Sequence, residues 1–183
     1  VLANPGATST TWSYSTTLLA QGDYDVTAFA FDTSGQQDPS TSGATARYRF
    51  YPGDQPPVFN ETLFSPSDGA SFDDGKIVVS GRVEDDQQIA QVQIAIVDGA
   101  GRYMNSSGAF TSTTASYRSA FLNSPGSPGS NFSYTSPVIP AGVYTVLARG
   151  VDQHGFVTSP SYQRTGITVA APADKALLFD DTG

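Results

Sequence analysis

An internal repeat constrains the fold of this 183-residue chain more than any other feature of its sequence. Residues 1–35 align without a gap onto residues 121–155, at an offset of 120 positions. Apolar residues and turn residues both keep their register. The matched pairs include Leu2 with Leu122, Pro5 with Pro125, Gly22 with Gly142, Tyr24 with Tyr144, Val26 with Val146, Asp32 with Asp152, and Gly35 with Gly155. A long-period match of this kind predicts two copies of one structural unit.

The repeat predicts a division of the chain into four parts. Residues 1–51 are expected to be the C-terminal half of one domain, and residues 52–57 a proline-rich linker in an extended form. Residues 58–170 are expected to form one complete domain, and residues 171–183 a linker or the start of a further element. Half a sandwich would expose its core face and strand edges. We therefore expect the first part to be completed by upstream residues or by strands from a neighbouring subunit.

Alternating apolar residues predict antiparallel strands with one buried face. Such strands are expected over residues 22–32, 76–84, 89–97 and 142–152. No segment combines a helical period with helix caps, so we expect almost no helix. Short strands separated by turn residues over about 110 residues predict an all-β antiparallel sandwich.

The order of motifs in residues 57–170 resembles the bacterial immunoglobulin-like (Ig-like) domains found in tandem in secreted enzymes and cell-surface proteins. The motifs are the turn Ser65–Ala70, Val79–Gly81, Glu84–Asp86, Val97–Gly99, Pro140–Tyr144 and Asp152–Gly155. The resemblance implies tandem Ig-like sandwiches, the first of them incomplete. It also invites comparison of Tyr144 and Tyr24 with the tyrosine corner of such folds. Residues 98–131 depart from the pattern, since the middle of the domain is longer.

Composition excludes several classes of function. The formal net charge is −8, and an acidic chain repels the phosphate backbone of nucleic acids. No apolar run reaches the roughly 18 residues needed to span a bilayer. The chain has no Cys, which excludes disulfides, thiolate metal sites and Cys nucleophiles.

Acidic residues at the ends of predicted strands are candidates for a metal site. Asp85, Asp86 and Asp152 could together supply the oxygen ligands that Ca²⁺ prefers. The alternative is that they serve turns and solubility, and no calcium-loop motif of the form D-x-[DN]-x-[DN]-G occurs. No other cofactor is expected.

Aromatic residues in the long middle segment are candidates for ligand binding, because loops often carry function. Tyr103, Phe110 and Tyr117 lie there and could contact a carbohydrate. His154 is the only histidine and aligns with Ser34, so we interpret it as a turn residue. We expect no catalysis within these residues, although a parent protein could carry a catalytic domain elsewhere.

These observations predict a non-catalytic structural or spacer module of a longer secreted or cell-surface protein, which could build an extracellular fibre or array. The alternative is a carbohydrate-binding or adhesive accessory module of a secreted enzyme. The expected partners are neighbouring Ig-like domains of the same chain or of adjacent subunits, and a polysaccharide in the alternative. We expect an extracellular or cell-surface location.

Overall fold

The computed structural model describes residues 2–17, 19–37 and 43–171. The chain divides into two compact units, Val1–Gly53 and Asp54–Gly183. Apart from residue 171, the last of the four expected parts lies outside the described residues. The four-part division therefore stays a prediction.

The described residues are almost entirely strand and loop, which confirms the expected all-β class. The first unit contains β1 (Gly22–Ala28) and β2 (Ala44–Phe50), which pair antiparallel with Tyr24 opposite Tyr48. The described residues hold one short 3₁₀ turn, Glu61–Leu63, and no helix able to cross a membrane.

The described part of the second unit is a two-sheet sandwich. Its strands are β3 (Val58–Phe59), β4 (Ser71–Phe72), β5 (Val78–Glu84), β6 (Ile89–Asp98), β7 (Tyr103–Met104), β8 (Phe110–Ser112), β9 (Arg118–Ser119), β10 (Phe121–Leu122), β11 (Gly129–Thr135), β12 (Gly142–Asp152) and β13 (Tyr162–Val169). One sheet has the order β10-β11-β5-β3, and the other has the order β4-β13-β12-β6-β7-β8 with β9 beside β6. β4 runs parallel to β13, and the other pairs are antiparallel.

The core lies between these two sheets, and β12 shows how the sequence builds it. Its inward side chains follow the two-residue period of a strand, so that Tyr144, Val146 and Ala148 are buried. The other sheet contributes Val79, Val83, Phe59 and Phe132 to the same cluster. Burying each large apolar side chain contributes roughly 1.5–3 kcal/mol to folding.

A hydrogen bond at the start of β12 fixes the chain entering the strand. The hydroxyl of Tyr144 donates to the carbonyl oxygen of Pro140 at 2.6 Å. Tyr24 makes the equivalent bond to Ala20 at 2.7 Å in the first unit. Both bonds reach back four residues, as in a tyrosine corner.

Candidate functional site

Three loops of the second unit meet at one end of the sandwich. They are the segment from Asp54 to Pro57, the turn between β5 and β6, and the turn between β12 and β13. β6 and β12 are antiparallel neighbours with Ile89 opposite Asp152, so the two turns lie at the same end. The backbone N–H of Gln153 donates to the carbonyl oxygen of Gln88 at 3.0 Å and joins them.

Asp152 is the innermost acidic residue of this end. The strand period that buries Tyr144 continues along β12 and places Asp152 on the same inward row, where it is 1% exposed. Its Oδ1 accepts a hydrogen bond from the N–H of Phe156 at 2.8 Å. Its Oδ2 is buried and has no hydrogen-bond partner among the described residues. Nearly all buried polar atoms are paired, so this oxygen requires an explanation.

Asp85 repeats this arrangement in the turn that follows β5. Its Oδ1 accepts from the N–H of Gln87 at 2.8 Å, and its Oδ2 is buried without a partner in the described residues. Burial raises the pKa of Asp85, the Gln87 N–H opposes that rise, and the carboxylates of Asp152, Asp86 and Asp54 add to it. Burial is thus the main cause of the raised pKa of Asp85, and the neighbouring carboxylates are a smaller one.

Asp54 is the residue that connects the linker to this end of the sandwich, and sequence reasoning missed it. Its side chain is 4% exposed, and its Oδ2 lies 2.6 Å from Nδ1 of His154. Its Oδ1 is buried and unpaired among the described residues. Two features of the sequence could have drawn attention to this pair: Asp54 is the one acidic residue of the linker, and His154 is the one histidine of the chain. Nothing in their spacing of 100 positions joins them.

We call Asp54, Asp85, Asp86 and Asp152 the acidic tip. One ligand atom from each of Asp54, Asp85 and Asp86 lies within 4.8 Å of the other two. The same limit holds for Asp54, Asp152 and His154. The structure thus brings the predicted ligands Asp85, Asp86 and Asp152 to one end of the sandwich and adds Asp54. Clustered carboxylate oxygens are the donor set that hard divalent cations prefer.

The three predicted ligand-binding aromatic residues all make contacts within the protein. Phe110 packs on the core and stacks on Tyr144, with ring centroids 5.0 Å apart. The guanidinium of Arg149 lies 3.8 Å from the ring centroid of Tyr117. Tyr103 is half-buried and pairs with Ser112 between β7 and β8. Carbohydrate binding by these residues stays a prediction.

The first unit carries an apolar groove of about 730 Å³. Its lining includes Leu2, Trp12, Tyr14, Val26 and Phe29. Trp12 and Tyr14 are 56% and 77% exposed. This face of the β1–β2 pair is therefore uncovered in the described part of the chain.

A family model matches part of the second unit. Residues 61–148 match the family model of the bacterial Ig domain, and this part of the chain is therefore a bacterial Ig-like domain. Domains of this family are typically non-catalytic structural modules and often belong to extracellular proteins. No curated protein matches the chain.

Two solved structures resemble the chain at low identity. CopC from Methylosinus trichosporium OB3b is 15% identical with a TM-score of 0.41, and the match covers 63% of this chain and 94% of that one. Dimeric latent PorU from Porphyromonas gingivalis is 18% identical with a TM-score of 0.34, and the match covers 84% of this chain and 13% of that one.

Proposed function

We propose that this chain is a spacer module of a longer secreted or cell-surface protein, in which the linker before the Ig-like domain is fastened to that domain. The single observation that carries the proposal is the burial of Asp54 and Pro57 against the sandwich. A spacer holds distance only when its linkers resist bending, and side chains packed on the domain restrict the bending of residues 54–57.

Pro57 is held against the sandwich by Thr158 and Gly150. Its carbonyl oxygen accepts a hydrogen bond from Oγ1 of Thr158 at 2.6 Å. The same Oγ1 accepts from the N–H of Gly150 at 3.0 Å. A Cβ on Gly150 would lie 2.6 Å from Cβ of Pro57, so glycine is what permits this close approach.

The rest of the segment is held by polar contacts. The N–H of Gln55 donates to Oδ1 of Asp86 at 3.2 Å, and Asp54 bonds to His154. Pro56 and Pro57 restrict their own φ angles, which lowers the entropy lost when the segment is ordered. These contacts support a stiff joint over residues 54–57.

The spacer proposal is tested by measuring a distance distribution across the linker. The chain has no Cys, so Ser9→Cys and Thr113→Cys allow spin labelling at two exposed positions. Double electron–electron resonance should give a single narrow distribution. Replacing Pro56 and Pro57 together by Gly should broaden it, whereas Pro125→Gly, in an exposed turn, should leave it unchanged. A broad distribution in the wild-type sequence, unaltered by the double glycine variant, contradicts the proposal.

A further inference from the structure

We infer that the acidic tip binds one Ca²⁺ ion, and that this ion fastens the Asp54 segment to the sandwich. The inference deepens the proposed function, because it names what controls the stiffness of the joint. It rests on unpaired oxygens, on their burial and on the elements that carry them.

The unpaired oxygens follow one pattern. In Asp54, Asp85 and Asp152, one carboxylate oxygen is engaged by a neighbouring N–H or imidazole, and the other is buried with no partner among the described residues. The engaged oxygen fixes the orientation of each carboxylate. The second oxygen of each carboxylate accepts no hydrogen bond among the described residues and is therefore available to a cation. Outer partners that orient the ligands in this way are a regular feature of metal sites.

Burial makes these oxygens costly without a cation. Asp152 is 1% exposed, and the side chain of Asp54 is 4% exposed. Removing a carboxylate from water is unfavourable unless it is paired or coordinates a metal. No Lys or Arg forms an ion pair with any acid of the tip in the described residues. A divalent cation among these residues would supply the missing positive charge.

The donor set selects the class of cation. Ca²⁺ takes six to eight oxygen ligands in flexible geometry, whereas Mg²⁺ keeps several waters and demands a strict octahedron. The tip offers carboxylates from three separate loops, which suits the flexible geometry of Ca²⁺. Nδ1 of His154 is bonded to Oδ2 of Asp54, so this nitrogen orients that carboxylate.

The position of the acidic tip explains why a bound ion would stiffen residues 54–57. Asp54 belongs to the segment entering β3, whereas Asp85, Asp86 and Asp152 belong to turns of the sandwich. A shared ion would therefore cross-link the segment to the domain. Without the ion, the four clustered negative charges repel one another. This repulsion favours movement of Asp54 away from the sandwich, because Asp54 lies on the segment that precedes the first strand of the domain.

The experiment is calorimetry on the full chain. Titration with CaCl₂ should show one ion bound per chain, with a Kd in the range of about 10⁻⁴ to 10⁻³ M typical of extracellular calcium modules. Scanning calorimetry in 10 mM CaCl₂ against chelator should show a Tm raised by about 5 °C for the second unit. Asp152→Asn should abolish both effects while keeping the bond from Phe156. Asp86→Asn, at an exposed position, should weaken binding without affecting folding.

The repeat supplies a matched control. Asp32→Asn changes the residue that corresponds to Asp152 in the first unit and should leave calcium binding unchanged. The inference is overturned if Ca²⁺ produces neither heat nor a Tm shift, if Zn²⁺ alone stabilises the chain, or if Asp32→Asn removes the response as fully as Asp152→Asn does.

The spin-label distances separate this inference from the spacer proposal. A narrow distribution that is identical with chelator and with Ca²⁺, in a chain that binds no ion, leaves the spacer standing and removes the calcium site. A broad distribution in a chain that binds Ca²⁺ through Asp152 keeps the site and removes the spacer.

Discussion

The segments 22–37 and 142–157 have the same local hydrogen bonds and turns but lie in different surroundings. Tyr24 and Tyr144 each donate a hydrogen bond to the carbonyl four residues earlier. Phe31 bridges to Gln37 as Val151 bridges to Val157, again at an offset of 120. Gly35 and Gly155 both have φ of 82°. Local sequence is therefore sufficient to set these turns and bonds.

Burial separates the two segments. Val146 is fully buried, whereas Val26 is 42% exposed. Val146 packs between two sheets that include β5, β6 and β13, whereas the described first unit offers β1 the single partner β2. The difference shows that residues close in sequence are enough to form the local hydrogen bonds of a strand. Burial of its apolar face depends on strands that are distant in sequence.

The largest effect on stability should come from shortening Val146, the buried member of the pair Val26 and Val146. Val146→Ala should lower the free energy of unfolding of the second unit by about 2 kcal/mol, because it removes buried methyl groups and leaves a cavity. Val26→Ala should change the first unit by less than about 0.5 kcal/mol, because the side chain is half exposed. Hydrogen–deuterium exchange of the full chain reports both strands. Equal losses of protection would show that β1 is as covered as β12.

A second substitution makes the second unit resemble the first. Gly150 aligns with Ala30. Gly150→Ala should cost about 1–2 kcal/mol and loosen residues 54–57, because the new Cβ would lie 2.6 Å from Cβ of Pro57. Ala30→Gly is the control and should not affect that segment. Amide exchange at Gln55 measures the loosening, and unchanged exchange would contradict the close contact.

Two glycines should respond alike, because their strain is local. Gly35→Ala and Gly155→Ala each force a side chain into a left-handed conformation, at a cost of about 1 kcal/mol. Exchange of the amides in each turn should accelerate by a similar factor. A strong effect in one turn alone would mean that tertiary contacts, rather than φ, determine the conformation.

The smallest effects should come from removing the tyrosine hydroxyls. Tyr144→Phe leaves the carbonyl of Pro140 without its donor in a partly buried place and should cost about 1 kcal/mol. Tyr24→Phe should cost less, because water replaces the donor at an exposed bond. Urea denaturation of each variant, followed by amide exchange, measures the difference. A larger loss at Tyr24 would reverse the comparison.

Several elements followed from the sequence because their causes are local. The two-residue period of residues 142–152 predicts a strand, and β12 has these bounds. The same reasoning extends the strand from Gly22 to Asp32, but β1 ends at Ala28. The equivalent turns at Asp32 and Asp152 do not explain the difference. Among the described residues β1 pairs only with β2, and that pairing ends with Ala28 opposite Ala44, whereas β12 pairs with β6 as far as Asp152 opposite Ile89.

The acidic tip was predictable in part. Asp85 and Asp86 follow a predicted strand and Asp152 ends another, so strand ends alone could bring them together. Asp54 was beyond reach, because its contact with His154 spans 100 positions and depends on how the linker enters the sandwich. The aromatic candidates illustrate the opposite case, since the stacking of Phe110 on Tyr144 depends on short strands in the long middle segment.

The amino-acid sequence by itself determined the strand period, the turn chemistry of Asp and Gly, and the repeat that relates Tyr24 to Tyr144. These depend on φ/ψ preferences and on bonds within a few residues. Tertiary structure alone decided which of two similar strands is buried, and which carboxylates converge with oxygens left unpaired among the described residues. Burial and convergence both require segments far apart in the chain to pack together, and no short window of residues encodes that.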